Sequence, residues 1–284
     1  MLALVAAIGY GVSDFVGGVA SRRVSALRVV IVSYPLSLLI VLAIAPFVGG
    51  TFTASSLLWG AASGIAGGVA IWWFYLALAS GPMSVVSPFT AVLVAGIPVL
   101  IGFALGERPG LIAFAGIIVA LVAVTLVSRE SPDETAGEVA GGRVLRFSRT
   151  VALLTVGSGV AFGLAFVALY EIGDDGGLWP LAVSRASATA VVWVVAFSSG
   201  HFVLPHGEPL KLAVYVSFLD VLANASMLYA FQGGLLSLVS VIGALYPAAT
   251  VMLAMVMLGE RVGRVQQVGM LLALASVGMI AVAN

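Results

Sequence analysis

Asp220 and Asn224 stand four residues apart in the apolar run Leu210–Phe231 and would share one face of a helix there. Asp220 is ten residues into that run, about 15 Å along a helix rising about 1.5 Å per residue. If the run crosses a bilayer, this is its middle, where a charge costs about 2.5–3.5 kcal/mol on insertion scales. A carboxylate and an amide at that depth can bind a polar or cationic solute. They can equally be structural, neutral or bonded to a neighbouring helix. Asp14, six residues from the end of Leu2–Ala20, can bind a cation, exchange a proton, or snorkel toward Arg22 or Arg23. Arg185, about seven residues into Leu178–Ser198, lies at a depth from which it can reach Asp220. A paired Arg–Asp costs less than two isolated charges, so a structural ion pair competes with a binding role for both.

Aromatic residues add candidate walls. Trp72 and Tyr75 share a face of the run Leu57–Ala79, and Tyr246 precedes Pro247 deep in Leu235–Leu258. Aromatic walls suit amino acids, nucleobases or organic cations, although Trp and Tyr also form belts at membrane interfaces. Asp220, Asn224, Tyr246, Trp72 and Tyr75 are therefore the candidate substrate-binding residues, with Asp14 the candidate coupling or ion-binding group. Pro88, Pro98 and Pro247 are expected to interrupt the fourth and ninth helices, either for packing or to free a carbonyl.

Enzymatic signatures are missing from the sequence. It has no Walker loop, no His-Glu-x-x-His and no Gly-rich dinucleotide fingerprint. Gly157-Ser158-Gly159 has no histidine in the apolar runs to act as its base. With no cysteine, neither a disulfide nor a thiolate metal site is available. We expect no enzyme, cofactor or metal centre. The acidic Glu171, Asp174 and Asp175 read as a solvated connection.

These groups must be carried by membrane helices. The chain has 284 residues, 62% apolar and 8% charged, with a mean hydropathy of +1.20. It could not cover a water-facing surface, since soluble domains carry about 25% charged residues. Net charge is zero, which implies no nucleic-acid partner. Ten runs are candidate spans at the required length of about 20 residues: Leu2–Ala20, Val29–Val48, Leu57–Ala79, Met83–Ala104, Pro109–Ser128, Thr150–Ile172, Leu178–Ser198, Leu210–Phe231, Leu235–Leu258 and Val262–Ala283. Leu2–Ala20 lacks a charged leader and is followed by Ser21-Arg22-Arg23, so it reads as a retained helix.

The chain repeats itself. Shifted by 153 positions, Leu105-Gly106-Glu107-Arg108 falls on Leu258-Gly259-Glu260-Arg261, and 16 of 48 positions match from Gly81 to Ser128 without a gap. Glu107, Arg108, Glu260 and Arg261 sit at helix junctions, where a carboxylate beside the next helix's amino terminus is favourable. They are expected to fix the hairpins. The polar stretch Arg129–Arg149 separates residues 1–128 from 150–284, five helices on each side. Five is odd, so the second half enters from the opposite face. The repeats are expected to be inverted, with a site between them near the midplane. Arginine and lysine crowd the connections on the linker's side, where the other side has only Arg108. The positive-inside rule makes the rich side cytoplasmic and leaves both termini outside. Stripes of small residues, Gly9-Ser13-Gly17, Gly60-Gly64-Gly68 and Gly159-Gly163, are expected to let helices approach closely.

The doubled Leu-Gly-Glu-Arg hairpins, the five-plus-five helices and Arg185 of Val183-Ser184-Arg185 resemble the EamA-type transporters of the drug/metabolite transporter superfamily, over nearly the whole chain. The resemblance implies an all-α, multi-pass protein of the bacterial plasma membrane. It implies ten helices in two inverted repeats around a cavity, commonly exporting amino acids or other small metabolites by secondary transport. Such a protein meets a small-molecule substrate and the lipid bilayer, and ten helices can enclose a site without a partner chain; any proton coupling would fall to Asp14, the candidate ion-binding group. The family commonly has an arginine in the second helix too, where aligning Val32-Ser33-Tyr34 with Val183-Ser184-Arg185 places Tyr34. The competing expectation is a non-transporting scaffold or sensory subunit of an envelope pathway, because a fold does not fix a function.

Overall fold

The computed structural model of the protein describes residues 1–21, 23–80, 83–128, 139–140, 143–144, 148–258 and 263–283. Eleven helices occur among them. The first five are α1 (Leu2–Ser21), α2 (Ala26–Val48), α3 (Ala54–Ser80), α4 (Met83–Ala104) and α5 (Leu111–Val127). The others are α6 (Arg149–Tyr170), α7 (Trp179–Ser198), α8 (Glu208–Gln232), α9 (Leu236–Gly243), α10 (Tyr246–Leu258) and α11 (Arg264–Ala283). The described residues are all-helical in their regular structure apart from a two-residue antiparallel ladder, β1 (Val139–Ala140) with β2 (Arg143–Val144), inside the charged linker. Among the described residues eight stretches are long and apolar enough to cross a membrane, one of them Leu236–Met257, which takes in most of α9 and α10; Phe89–Ala104 and Leu111–Val127 are shorter. Arg22, Glu260, Arg261 and most of the linker lie outside the described residues.

The expected helix Leu235–Leu258 is two helices. Gly243, the last residue of α9, is a poor helix former. Pro247 has no N–H to return to the Gly243 carbonyl four residues earlier. The chain turns instead through Ala244 and Leu245, whose N–H groups donate to Ser240 and Ile242 carbonyls. Proline alone does not cause this. Contrary to expectation, α4 runs unbroken through Pro88 and Pro98, as α2 does through Pro35 and Pro46.

Helix packing repeats between the halves. α1 packs on α8 as α6 packs on α3; α2 packs on α8 as α7 packs on α3; and α1 packs on α9 and α10 as α6 packs on α4. α2–α7, α4–α9 and α5–α11 pair equivalent elements with each other. Small residues make these contacts close. A Cβ added at Gly60 or Gly64 would collide with the Pro180 or Ser184 carbonyl oxygen, so α3 lies backbone-to-backbone on α7. Gly9 faces Ala223 of α8, and Gly159 and Gly163 face Leu93 and Ile97 of α4. Hydrogen bonds cross the same seams. Ser63 Oγ donates to the Ala165 carbonyl at 3.0 Å, Thr250 Oγ1 to Gly11 at 3.0 Å and Trp193 Nε1 to Ile31 at 3.2 Å. Bonds of this kind are worth about 0.6 kcal/mol each inside membranes.

Candidate functional site

α1, α2, α7 and α8 meet at a polar cluster halfway along their lengths. Gly64 seats α3 against Ser184, which fixes the turn of α7 carrying Arg185. Arg185 Nη1 donates to both carboxylate oxygens of Asp220, at 3.1 and 2.9 Å, and Nη2 donates to Asn224 Oδ1 at 3.2 Å. One turn of α8 separates the two acceptors. Asn224 Nδ2 returns a bond of 2.9 Å to Asp220 Oδ1 and another of 2.8 Å to its carbonyl, so carboxylate and amide are held as a unit. Asp220 and Arg185 are largely buried, with side-chain exposures of 14% and 11%.

Two residues complete the cluster that sequence reasoning did not nominate. Tyr10 of α1 donates its hydroxyl to Asn224 Oδ1 at 3.0 Å. Tyr34 of α2 lies under the guanidinium, whose Cζ is 5.4 Å from the ring centroid. The departure of Tyr34 from the arginine common in related chains was the one available signal. It takes a cation–π position beside the arginine of the other half. Nothing local marks Tyr10, whose partner is 214 residues away.

Tyr246, at the α9–α10 break, sets its ring edge-on to Tyr10 with centroids 6.4 Å apart. Asp14, one turn beyond Tyr10 on α1, lies within electrostatic range of Tyr10, Tyr34, Tyr75, Tyr246 and Asp220. Unlike Asp220 it has no hydrogen-bond or ion-pair partner among the described residues, and it is exposed. The structure thus gathers Asp220, Asn224, Arg185, Tyr246, Tyr75 and Asp14. Trp72 is not brought into the group; it is 39% exposed, while its neighbour Trp73 packs on Gly157 of α6.

The electrostatics follow from these partners. Among the described residues, one arginine against two aspartates leaves a formal charge of −1, and the excess lies on Asp14. A second imbalance concerns hydrogen bonding. Arg185 Nε–H is buried and finds no acceptor among the described residues, although leaving such a donor unmet costs about 1–3 kcal/mol. The cluster can therefore receive a cationic group at Asp14 and an acceptor oxygen at Arg185.

Glu107 behaves differently from its expected role. Its carboxylate does not cap α5, the next helix of its hairpin, whose first turn has Gly110 as N-cap and no side-chain cap. It accepts from the backbone N–H groups of Leu236 (2.5 Å) and Ser237 (3.0 Å), the first turn of α9 in the other half. Arg108 is exposed beside it.

A family model described as the EamA-like transporter family matches residues 1–129 and 149–282. No curated protein matches. A solved structure described only as "Crystal structure of protein" has a TM-score of 0.78 and 16% identity, over 99% of this chain and 95% of its own; at that identity the likeness concerns the fold.

Proposed function

Because the chain belongs to the EamA-like transporter family, and is thus a multi-pass membrane transporter, we propose that it is a secondary transporter moving a small amine-bearing metabolite, such as an amino acid, by alternating access. The observation that carries this is the cluster midway along α1 and α8, with an ion pair bonded on several sides beside an exposed carboxylate that has no partner among the described residues. A purely structural network would satisfy all its members. Here an ammonium group faces Asp14 and the tyrosines, and a carboxylate or carbonyl accepts from Arg185 Nε–H. In the absence of substrate Asp14 takes a proton, which couples transport to the proton gradient in the direction of efflux.

The proposed frame is ten spans, with α9 and α10 as one broken span, in a first repeat of residues 1–128, a linker of 129–149 and a second repeat of 150–284. Inversion is supported by direction. α1 enters the largest apolar core by its first turn, at Ala3, whereas its counterpart α6 enters by its last, at Leu169. The arginine-rich linker end faces the cytoplasm of a bacterial cell, and one chain suffices.

Thermal unfolding of the detergent-purified protein against a metabolite panel, with Asp220→Asn beside it, tests the proposal. A ligand at 100 times its Kd adds about 2.7 kcal/mol to stability, so a binder raises the melting temperature and loses that effect in D220N. If no amine-bearing metabolite stabilises the wild type, and liposomes containing it move none, a non-transporting scaffold is the better account.

A further inference from the structure

The two ends of the helix bundle are sealed unequally. At the end holding the start of α1, one continuous apolar core joins six helices from both halves, with Ala3, Val41, Leu169, Leu178, Phe231 and Leu236 all buried in it. Connections interlock above this core: Thr51 N–H donates to the Asp175 carbonyl at 2.8 Å, and Gln232 Nε2 donates to Gly173 at 3.0 Å. An aromatic column leads from the site into the seal. It runs from Tyr10 to Phe166 (6.4 Å), from Phe166 to Phe231 (6.2 Å) and from Phe231 to Tyr170 (5.9 Å). Among the described residues at the linker end, the clusters around Ala20, Ile31 and Ala77 are small and separate, and a larger one holding Ala123, Val124 and Ala273 runs along α5 and α11 to one side. Asp14 and Gly18 are exposed there, and a Cβ on Gly18 would meet nothing within 4 Å.

Glu107 joins the halves at the sealed end. The first N–H groups of a helix have no partners within it, and Leu235, the N-cap of α9, offers no side-chain cap. Glu107 supplies the missing acceptor from the opposite half, through the bonds to Leu236 and Ser237. Its approach depends on glycine at two places. Gly106 holds φ +94°, and a Cβ at Gly102 would collide with the Glu107 carboxylate. α9 is only eight residues long and is uncoupled from α10 at Ala244–Leu245, so it can tilt without dragging the rest of its span.

We propose that Glu107 is the latch of the sealed end, releasing the first turn of α9 when the site opens to that side. The inference rests on alternating access, yet labelling of the protein reads the latch without any transport. The chain has no cysteine, so single reporters can be placed directly. Ser237→Cys, at a position 0% exposed, reports the sealed end; Gly18→Cys reports the open one. With a hydrophilic maleimide, the cysteine at 237 should react slowly and that at 18 quickly. Adding Glu107→Gln should raise labelling at 237 about ten-fold or more, the size of one charged hydrogen bond lost, and should slow labelling at 18. Unchanged labelling at 237 overturns the latch. So does a rise at both positions, which means general loosening. Should E107Q fail to give a folded protein, Glu107→Asp, which keeps the charge but shortens the reach, is read by the same two reporters. A latch that responds in a protein moving no solute would refute transport and leave the latch standing.

Discussion

Replacing Arg185 and Asp220 separately and together measures what holds the centre of the bundle. Asp220→Asn leaves the guanidinium with two neutral acceptors and no counter-charge; Arg185→Gln leaves the carboxylate with only the Asn224 amide as a charge-free donor. Breaking one side of a buried pair costs about 3–5 kcal/mol. With both side chains more than four-fifths buried, and with Asn retaining an acceptor oxygen, the lower end applies to D220N, about 3 kcal/mol. At about 2–4 °C per kcal/mol for chains of this order, that lowers the melting temperature by about 6–12 °C. The double variant R185Q/D220N has no unpaired charge in the cluster. Its side chains can exchange neutral hydrogen bonds, so it should be more stable than either single variant, with a coupling of about 1–3 kcal/mol. The assay is thermal unfolding in detergent of all four proteins under one protocol. A double variant that loses the sum of the two single losses would refute the pairing as the source of stability. Ligand stabilisation should not return in the double variant, since the Arg185 donors are gone.

Other perturbations separate parts of the account. Gly64→Ala should destabilise by about 1–3 kcal/mol, because its methyl collides with the Ser184 backbone; Gly67→Ala, whose Cβ meets nothing within 4 Å, should be neutral or stabilising by up to about 1 kcal/mol. Equal melting temperatures for these two would show that α3 does not press on α7. Asp14→Asn should leave the fold intact, since no partner among the described residues is lost, and should abolish the response of transport to an imposed pH gradient and weaken solute exchange. The Arg23–Glu208 pair bridges α8 to the connection after α1 but is exposed, so Arg23→Gln should shift stability by less than about 1 kcal/mol. A larger loss would mean that this contact helps to close the linker end.

Much of the frame was legible because membrane helices announce themselves by length and composition, and because the repeat doubles the signal. Met83–Ala104 is bounded as the sequence indicates, and the depths of Asp220 and Arg185 suffice to anticipate their pairing. What escaped depends on contacts between distant segments. Tyr10 reaches Asn224 only because Gly9 lets α1 lie against Ala223. Glu107 serves α9 rather than α5 because the halves interlock at that end, which no hairpin pattern reveals. The break in the ninth span needed Gly243 and Pro247 read together, since prolines in α2 and α4 are absorbed without one. Trp72 shares a helix face with Tyr75, but a face carries no information on which neighbouring helices each residue meets.

Transport itself is the most direct test. The purified protein in liposomes loaded with a labelled metabolite that raises its melting temperature should release it when a proton gradient is imposed. Release should be saturable, and it should be lost in both R185Q and D14N under that gradient. Release that is the same in protein-free liposomes, or that persists unchanged in both variants, would contradict a transport site at the Arg185–Asp220–Asp14 cluster.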